Sequence, residues 1–368
     1  MIFLYAASAS FICYSFFIIS SAIKLRGEEN EYSESAPQQV SIIVPFRNEA
    51  KNVPRLCQSL FNLETANFTV EFLFIDDHSE DNSLEVLQQL IKSRTDTKIL
   101  ALPNNLHGKK KALQYATQHS KGKWLALTDA DCILPKSWLA HTLSGNINDT
   151  DTGLVIGLVD YLGSNKKFIH AFQRFDLLGM IGLSVGLAKI GWPSICNGAN
   201  LFVKKEVFQK SQDALGKHPS GDDVFLLHYC KANNIPIRVC LSSKTVVKTK
   251  FEENLKEVIN QRLRWASKSK NYKDSFTLLL GGIVLLTSIT MLLSFILIVK
   301  GEVLFFSILW CVKLLLDFTL LYQIRQLHKA RWSLFWFPVV SIIYPFYIVT
   351  GSIIANLLPF TWKNRRFK

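Results

Sequence analysis

Among the seven cysteines of this 368-residue chain there is no Cys-x-x-Cys pair. They are odd in number and scattered, at Cys13, Cys57, Cys132, Cys196, Cys230, Cys240 and Cys311. That pattern excludes a zinc ribbon and argues against a disulfide framework, so a reducing, cytoplasmic setting fits. Cys132 and Cys196 read as small buried residues. Nucleic-acid motifs and the interleaving of basic and aromatic residues found on RNA platforms are also missing. Nucleic acid is therefore not the expected partner, despite a formal net charge of +13. The first apolar run, Ile2 to Ile23, lacks positive charge in front of it; Lys24 and Arg26 come after it. A cleavable leader has the opposite order and small residues at its cut site. The run reads instead as a membrane anchor, with the N-terminus outside and the next domain in the cytoplasm by the positive-inside rule.

What the chain does have is apolar residues in quantity, 49% of the total, gathered before Lys24 and again after Phe276. Basic residues crowd beside these ends, as in Lys244–Lys273 and Lys363–Lys368, which favours lipid headgroups as the anionic partner. Two crossings are expected at Phe276–Val299 and Val303–Tyr322. The second carries Lys313 and Asp317, four apart and so on one helical face, where a structural ion pair is the expected use. Trp332–Phe360 is apolar but interrupted by Pro338, Pro345 and Pro359, and reads as one kinked crossing or as a re-entrant or interfacial hairpin, with the kinked crossing preferred. The side of the C-terminal tail stays open at this level. Phe168–Ile190 is apolar yet contains Arg174, Asp176 and Lys189, which suggests an amphipathic helix on the membrane surface.

Between the apolar ends, short β-rich runs alternate with helical stretches. Val40–Pro45, Phe72–Ile75, Lys98–Leu102 and Trp124–Thr128 are the runs; Lys51–Leu63, Ser83–Lys92 and Lys109–Gln118 are the helices. Leu154–Val159, Asn200–Val203 and Pro236–Leu241 add further strands, the last of them closing the domain, and Asp223–Lys231 a helix. Such alternation predicts a mostly parallel sheet covered on both faces, with ligands beyond the carboxyl ends of the strands. Polar residues gather at those ends. Asp129 and Asp131 are alternate carboxylates at a strand exit and suit a hard ion, Mg²⁺ or Mn²⁺, shared with a diphosphate. Asp76-Asp77-His78-Ser79 suits a base or ribose, although a helix cap would look the same. Gly108-Lys109-Lys110-Lys111 precedes a helix and suits phosphates, or is a solvated charge run. Ser220-Gly221-Asp222-Asp223 offers a carboxylate general base, or again a cap. In Gln261-Arg262-Leu263-Arg264-Trp265, residues Gln261, Arg264 and Trp265 share a helical face. Arg264 there suits a phosphate and Trp265 a sugar, while a snorkelling Arg and an interfacial Trp are the plainer uses.

Taken in order, these motifs resemble the family 2 glycosyltransferases with the GT-A fold, in the membrane-bound branch that includes cellulose, chitin and hyaluronan synthases and ceramide glucosyltransferase. The similarity runs from about Val40 to Trp265. It implies that Pro45 and Glu49, in Val40–Glu49, lie at the nucleotide and that Asp77 meets the uracil of a UDP-sugar. It also implies that Lys109 belongs to a Gly-Lys motif, that Asp129 and Asp131 hold the metal, and that Asp223 is the base. Gln261, Arg264 and Trp265 match the Gln-x-x-Arg-Trp signature, and Cys196–Asn200 resembles a segment near the acceptor. Two positions depart from the family pattern. His78 stands where glycine is usual, which a backbone avoiding positive φ would accommodate. Asp222 stands where glutamate usually precedes the base, so Asp222 and Asp223 compete for that role, and Asp223 is preferred.

The resulting organisation is a transmembrane helix at 1–23, a linker at 24–39, a cytoplasmic domain at 40–250, an interfacial helix at 251–275, a membrane region at 276–360 and a basic tail at 361–368. The resemblance implies an inverting, metal-dependent hexosyltransferase acting on a nucleotide-sugar donor and a membrane lipid or glycan acceptor. A processive polysaccharide synthase would use the same site but needs a larger bundle of membrane helices. A non-catalytic nucleotide-sugar-binding subunit would have lost one of the key carboxylates, and none is missing.

Overall fold

The computed structural model describes residues 2–26, 38–65, 67–144, 151–213, 221–329, 332–357, 360–362 and 365–367. Most of the linker at 24–39, together with Ser220 and Pro359, lies outside the described residues. The chain divides into two compact units. One comprises Glu28–Leu162 and Ile195–Lys250; the other comprises Met1–Gly27, Gly163–Ser194 and Phe251–Lys368.

The first unit is an α/β domain. Its strands are β1 (Gln38–Phe46), β2 (Phe68–Asp76), β3 (Thr97–Ala101), β4 (Trp124–Leu127), β5 (Leu154–Ile156), β6 (Val159–Tyr161), β7 (Leu201–Lys204), β8 (Ile237–Val239) and β9 (Val247–Thr249). Seven of them form one sheet in the order β3-β2-β1-β4-β7-β5-β8, and β6 pairs with β9 separately. β3, β2, β1 and β4 run parallel, as do β5 and β8; β7 is antiparallel to both neighbours. The run Val40–Phe46 is buried at every residue, as a parallel strand covered on both faces requires. Ile42, Ile43 and Val44 expose no surface, and burying each stabilises the fold by about 1.5–3 kcal/mol. The helix Lys109–His119 packs on β1 and β2.

Register then places the functional loops. Phe46 pairs with Asp76 and Ile43 with Leu127, so the segments leaving β1, β2 and β4 emerge at one edge. The strand order reverses between β1 and β4, the kind of crevice where α/β sheets receive ligands. The strand β9 escaped the sequence pattern. β9 follows Leu241, where the domain was expected to have delivered its last strand, and it carries a residue of the site.

The second unit is helical. Among the described residues, four of its helices are long and apolar enough to cross a membrane: Ser8–Leu25, Ser275–Val299, Val303–His328 and Phe337–Ala355. Pro338 sits in the first turn of the last helix, where its missing N–H costs nothing, and the helix Phe337–Leu357 continues through Pro345. Lys313 Nζ bonds Asp317 on the same helix, as expected, and the other carboxylate oxygen accepts Tyr14 Oη of the first helix at 2.5 Å. The helix Phe168–Ala188 differs from the amphipathic surface helix foreseen. It packs on the helices Ile2–Leu25, Val303–His328 and Phe337–Leu357, and Arg174 and Asp176 are each only 2% exposed. Both have polar partners inside the unit, Arg174 Nη2 on Gly163 O at 3.0 Å and Asp176 in an ion pair with an arginine described below. Residues 163–194 accordingly group with the helices rather than with the sheet domain to which 40–250 had assigned them.

Candidate active site

The loop after β1 is stitched to the loop after β2. Asn48, at φ 53°, accepts Glu80 N at 2.8 Å through Oδ1 and donates its own N–H to Ser79 Oγ at 3.1 Å. Glu49 N–H donates to Ser83 Oγ at 2.6 Å, and Ala50 N–H to Asp81 Oδ2 at 3.1 Å. Arg47 closes the set with an ion pair to Glu80 at 2.8 Å. Glu49 is buried, with the Asn52 amide on its carboxylate. Pro45 lies in β1 opposite Ile75, one residue before Asp76. These contacts hold Glu49 and Asp77 at adjacent strand ends. Ser79, Glu80, Asp81 and Ser83 supply the stitching, and sequence reasoning had seen only Ser79 among them, as one of several polar residues.

Asp77 Oδ1 accepts the Gly108 N–H at 3.0 Å, which ties the second loop to the start of the helix Lys109–His119. The next residue is the hub. Lys109 Nζ lies 2.6 Å from Asp129 Oδ1 and 3.8 Å from Asp222 Oδ2. Burial works against its charge, but Asp129 and Asp222, then Asp223, hold the ammonium above the ordinary lysine range. Gly198 adjoins the same group. A Cβ there would sit 3.2 Å from Lys109 Nζ, 3.5 Å from Asp223 Cβ and 3.6 Å from Asp222 Oδ2. The Gly198 N–H donates to Asp223 Oδ2 at 3.2 Å, and Val224 N–H to Asp223 Oδ1 at 2.8 Å. Asp223 is half-buried in the first turn of the helix Asp222–Ala232, entered through Gly221 at φ 97°, and Asp222 is buried. Asn200 braces the segment from below, donating to Leu158 O and Thr245 O and accepting Trp138 Nε1, all within 2.9 Å.

Asp131 sits on the other side of Asp129. Its Oδ2 accepts Thr249 Oγ1 at 3.3 Å, and Ile133 bridges to Lys248, which pairs with fully buried Asp160 at 2.9 Å. Thr249, Lys248 and Asp160 went unnoticed in the sequence. The β-branched run Thr245-Val246-Val247-Lys248-Thr249 was the available signal. Cys132 is buried, and burial first, then Asp131 and Asp129, pushes its thiol well above the usual range, so it stays a packing group. Asp129 and Asp131 fit a hard divalent cation: they are oxygen donors on alternate residues, and Asp129 already carries a cationic partner in the Lys109 ammonium.

The sheet unit thus brings together Asp77, Lys109, Asp129, Asp222 and Asp223, with Asp131 two residues from Asp129. His78 is the exception to the sequence reading. Its φ is 59°, so the backbone does take the left-handed conformation that glycine would favour.

Gln261, Arg264 and Trp265 belong to the helical unit, on the helix Leu255–Ser267. The arginine that organises this helix is Arg262 rather than Arg264. Its Nε lies 2.6 Å from Asp176 Oδ2, it donates to Gln261 Oε1 at 2.5 Å and to Gln173 O at 3.4 Å, and its guanidinium lies 4.2 Å from the Trp265 ring centre. Gln261 also donates to Glu252 Oε1 at 3.0 Å, and Tyr344 Oη to Asp176 Oδ1 at 3.0 Å. Sequence spacing could not single out Arg262, because its partners Asp176 and Gln173 lie on a helix distant in sequence.

Residues 41–211 match the family described as Glycosyl transferase family 2, and the sheet unit has a GT-A-like fold. The glycosyltransferase AglE of Haloferax volcanii is 26% identical over 185 residues, covering 50% of this chain and 59% of that protein. The dolichyl-phosphate beta-glucosyltransferase ALG5D of Trichomonas vaginalis is 30% identical over 150 residues, 38% of this chain and 45% of that one. The chain thus spans less than two thirds of either relative. Among solved structures, the mannosyltransferase PcManGT from Pyrobaculum calidifontis, in complex with GDP-Man and Mn²⁺, superposes with a TM-score of 0.57 at 16% identity. It covers 89% of this chain and 98% of its own, and at that identity the likeness is one of fold.

Proposed function

We propose that this protein is an inverting, metal-dependent hexosyltransferase, working at the cytoplasmic face of a membrane on a nucleotide-sugar donor and a lipid acceptor. The observation that carries the proposal is the Lys109 ammonium set between Asp129 and Asp222 with Asp223 alongside, at the carboxyl ends of parallel strands. Pro45, Glu49 and Asp77 line the nucleotide end. Asp129 and Asp131 would hold Mg²⁺ or Mn²⁺, which neutralises a diphosphate leaving group. Lys109 supplies a second cation for the same charge. Asp223, oriented by two backbone N–H groups, takes the proton from the acceptor hydroxyl as its oxygen bonds to the anomeric carbon. The bond from that carbon to the diphosphate breaks, and the nucleoside diphosphate leaves with the electron pair. Gln261, Arg264 and Trp265, which match the family's Gln-x-x-Arg-Trp signature, are assigned to the handling of donor and acceptor.

The four apolar helices favour an acceptor delivered from the bilayer. Similarity to a dolichyl-phosphate glucosyltransferase supports a second version, in which the acceptor is a lipid phosphate. A phosphate oxygen is already ionised and needs no base, so the two versions separate cleanly. Membranes holding the protein are incubated with a panel of labelled nucleotide sugars, and label is followed into lipid or polymer. Asp131→Ala should abolish transfer on either acceptor. Asp223→Asn should abolish transfer to hydroxyl lipids and spare a phosphate acceptor. Full activity of Asp131→Ala on every acceptor refutes the proposal, and label in a growing polysaccharide favours a processive synthase.

A further inference from the structure

Beside the nucleotide end lies a second group of potential ligands. Asp77, His78 and His107 each offer a ligand atom, and these atoms lie within 4.8 Å of one another. The two imidazole rings are 4.6 Å apart between centres and tilted by 54°. His78 Nε2 is 3.0 Å from Leu106 O, so Nε2 carries the hydrogen and Nδ1 of the neutral ring keeps its lone pair. A ring that donates to a backbone carbonyl through one nitrogen and offers the other is the arrangement of a metal-ligating histidine. The Gly108 N–H on Asp77 Oδ1 orients the carboxylate in the same manner. His107 is exposed, which leaves an entry path. His78 also holds a positive φ, a conformation unfavourable for a non-glycine residue, and strain of this kind clusters at ligand sites.

We propose that Asp77, His78 and His107 bind a borderline divalent cation of the zinc class, and that this ion competes with the nucleotide for Asp77. Two imidazoles and one carboxylate are a composition zinc accepts, with coordination positions left for water, whereas Mg²⁺ and Mn²⁺ prefer the all-oxygen pair Asp129 and Asp131. The metal site stands on the geometry alone; the competition rests on the proposed function, which puts the nucleotide on Asp77.

The purified full chain, stripped with EDTA, is titrated with CoCl₂ and followed by visible absorption. One equivalent should give the intense bands of a low-coordinate nitrogen-containing site. His107→Ala and His78→Gly should each weaken Co²⁺ binding at least tenfold, while Asp131→Ala leaves it unchanged. His78→Gly relieves the positive φ, so its loss of metal cannot be put down to misfolding. Absence of the bands, their survival in both histidine variants, or their loss in Asp131→Ala overturns the site. Saturating UDP should bleach the bands; bands that persist under UDP overturn the competition. Calorimetry of UDP on metal-free His107→Ala reads the donor site separately, so failure of the nucleotide reading appears as absent heat and the bands alone then judge the metal.

Discussion

Arg262→Met tests how the helix that carries Gln261 and Trp265 is held. The side chains of Arg262 and Asp176 are 5% and 1% exposed and meet at 2.6 Å. Removing one partner of a buried pair leaves an uncompensated charge and costs about 3–5 kcal/mol, far more than the pair is worth against neutral groups of similar shape. Met keeps most of the arginine's volume, so the loss is electrostatic and not a cavity. Among the described residues, Asp176 would keep only the Tyr344 hydroxyl at 3.0 Å. Asp176→Asn should be milder, because Asn still accepts from Tyr344 while the guanidinium keeps the carbonyl oxygens of Gln261 and Gln173. The double variant should recover at least ~2 kcal/mol relative to the sum of the single changes. For a unit of this size, 3–5 kcal/mol is roughly 6–20 °C in Tm, readable by thermal unfolding in detergent. Additive single changes, or an Arg262→Met loss under ~1 kcal/mol, would refute the reasoning.

Two further changes probe the sheet unit. Lys109→Met removes the cation that competes for Asp129, so Mn²⁺ should bind the nucleotide-free protein about fivefold more tightly, or ~1 kcal/mol, while transfer falls about 10²–10³-fold. Calorimetry and initial rates measure the two; a drop in Mn²⁺ affinity contradicts the arrangement. The pKa of Lys109 is raised, so the stability its charge contributes is complete below about pH 10.4 and fades only above that value. A rate profile between pH 6 and 9 should therefore show no step due to Lys109. Thr249→Val removes the hydroxyl on Asp131, and at 3.3 Å the expected cost is the low end of the usual range, about tenfold in apparent Mn²⁺ affinity. An unchanged Mn²⁺ titration would show that Thr249 does not position the metal ligand.

What could be read from the sequence was whatever a short stretch encodes by itself. Ile42, Ile43 and Val44 are apolar at consecutive positions, which suits a doubly covered strand, and Lys313 with Asp317 meets by helical spacing alone. The carboxylates at the ends of β2 and β4 were visible because their strands were. Contacts between distant segments were not legible. The buried pair of Asp176 and Arg262 joins residues 86 positions apart, and nothing near Asp176 distinguishes it from a surface charge on an amphipathic helix. The same blindness hid Thr249, since β9 is three residues long and its role depends on a bridge to Ile133. His78 failed for a different reason: φ is a property of the folded loop, and the residue type gave no warning of it.

The position of Lys109 has a consequence for the order of binding. Its ammonium meets the oxygen of Asp129 that the proposed divalent ion would also need, so on the proposed function protein charge and metal charge compete for one carboxylate. A diphosphate changes this balance by bringing its own negative charge, giving Lys109 and the metal separate oxygens to neutralise. Metal and donor should then bind cooperatively. A coupling of 1–3 kcal/mol corresponds to a ~5–150-fold tighter Mn²⁺ constant in the presence of UDP, and by linkage the same factor for UDP in the presence of Mn²⁺. Lys109→Met should reduce that factor severalfold, because it relieves the competition before any donor arrives. Equal coupling in the two proteins would mean that Lys109 yields nothing to the metal, and the hub would have to be reassigned to a purely structural ion pair.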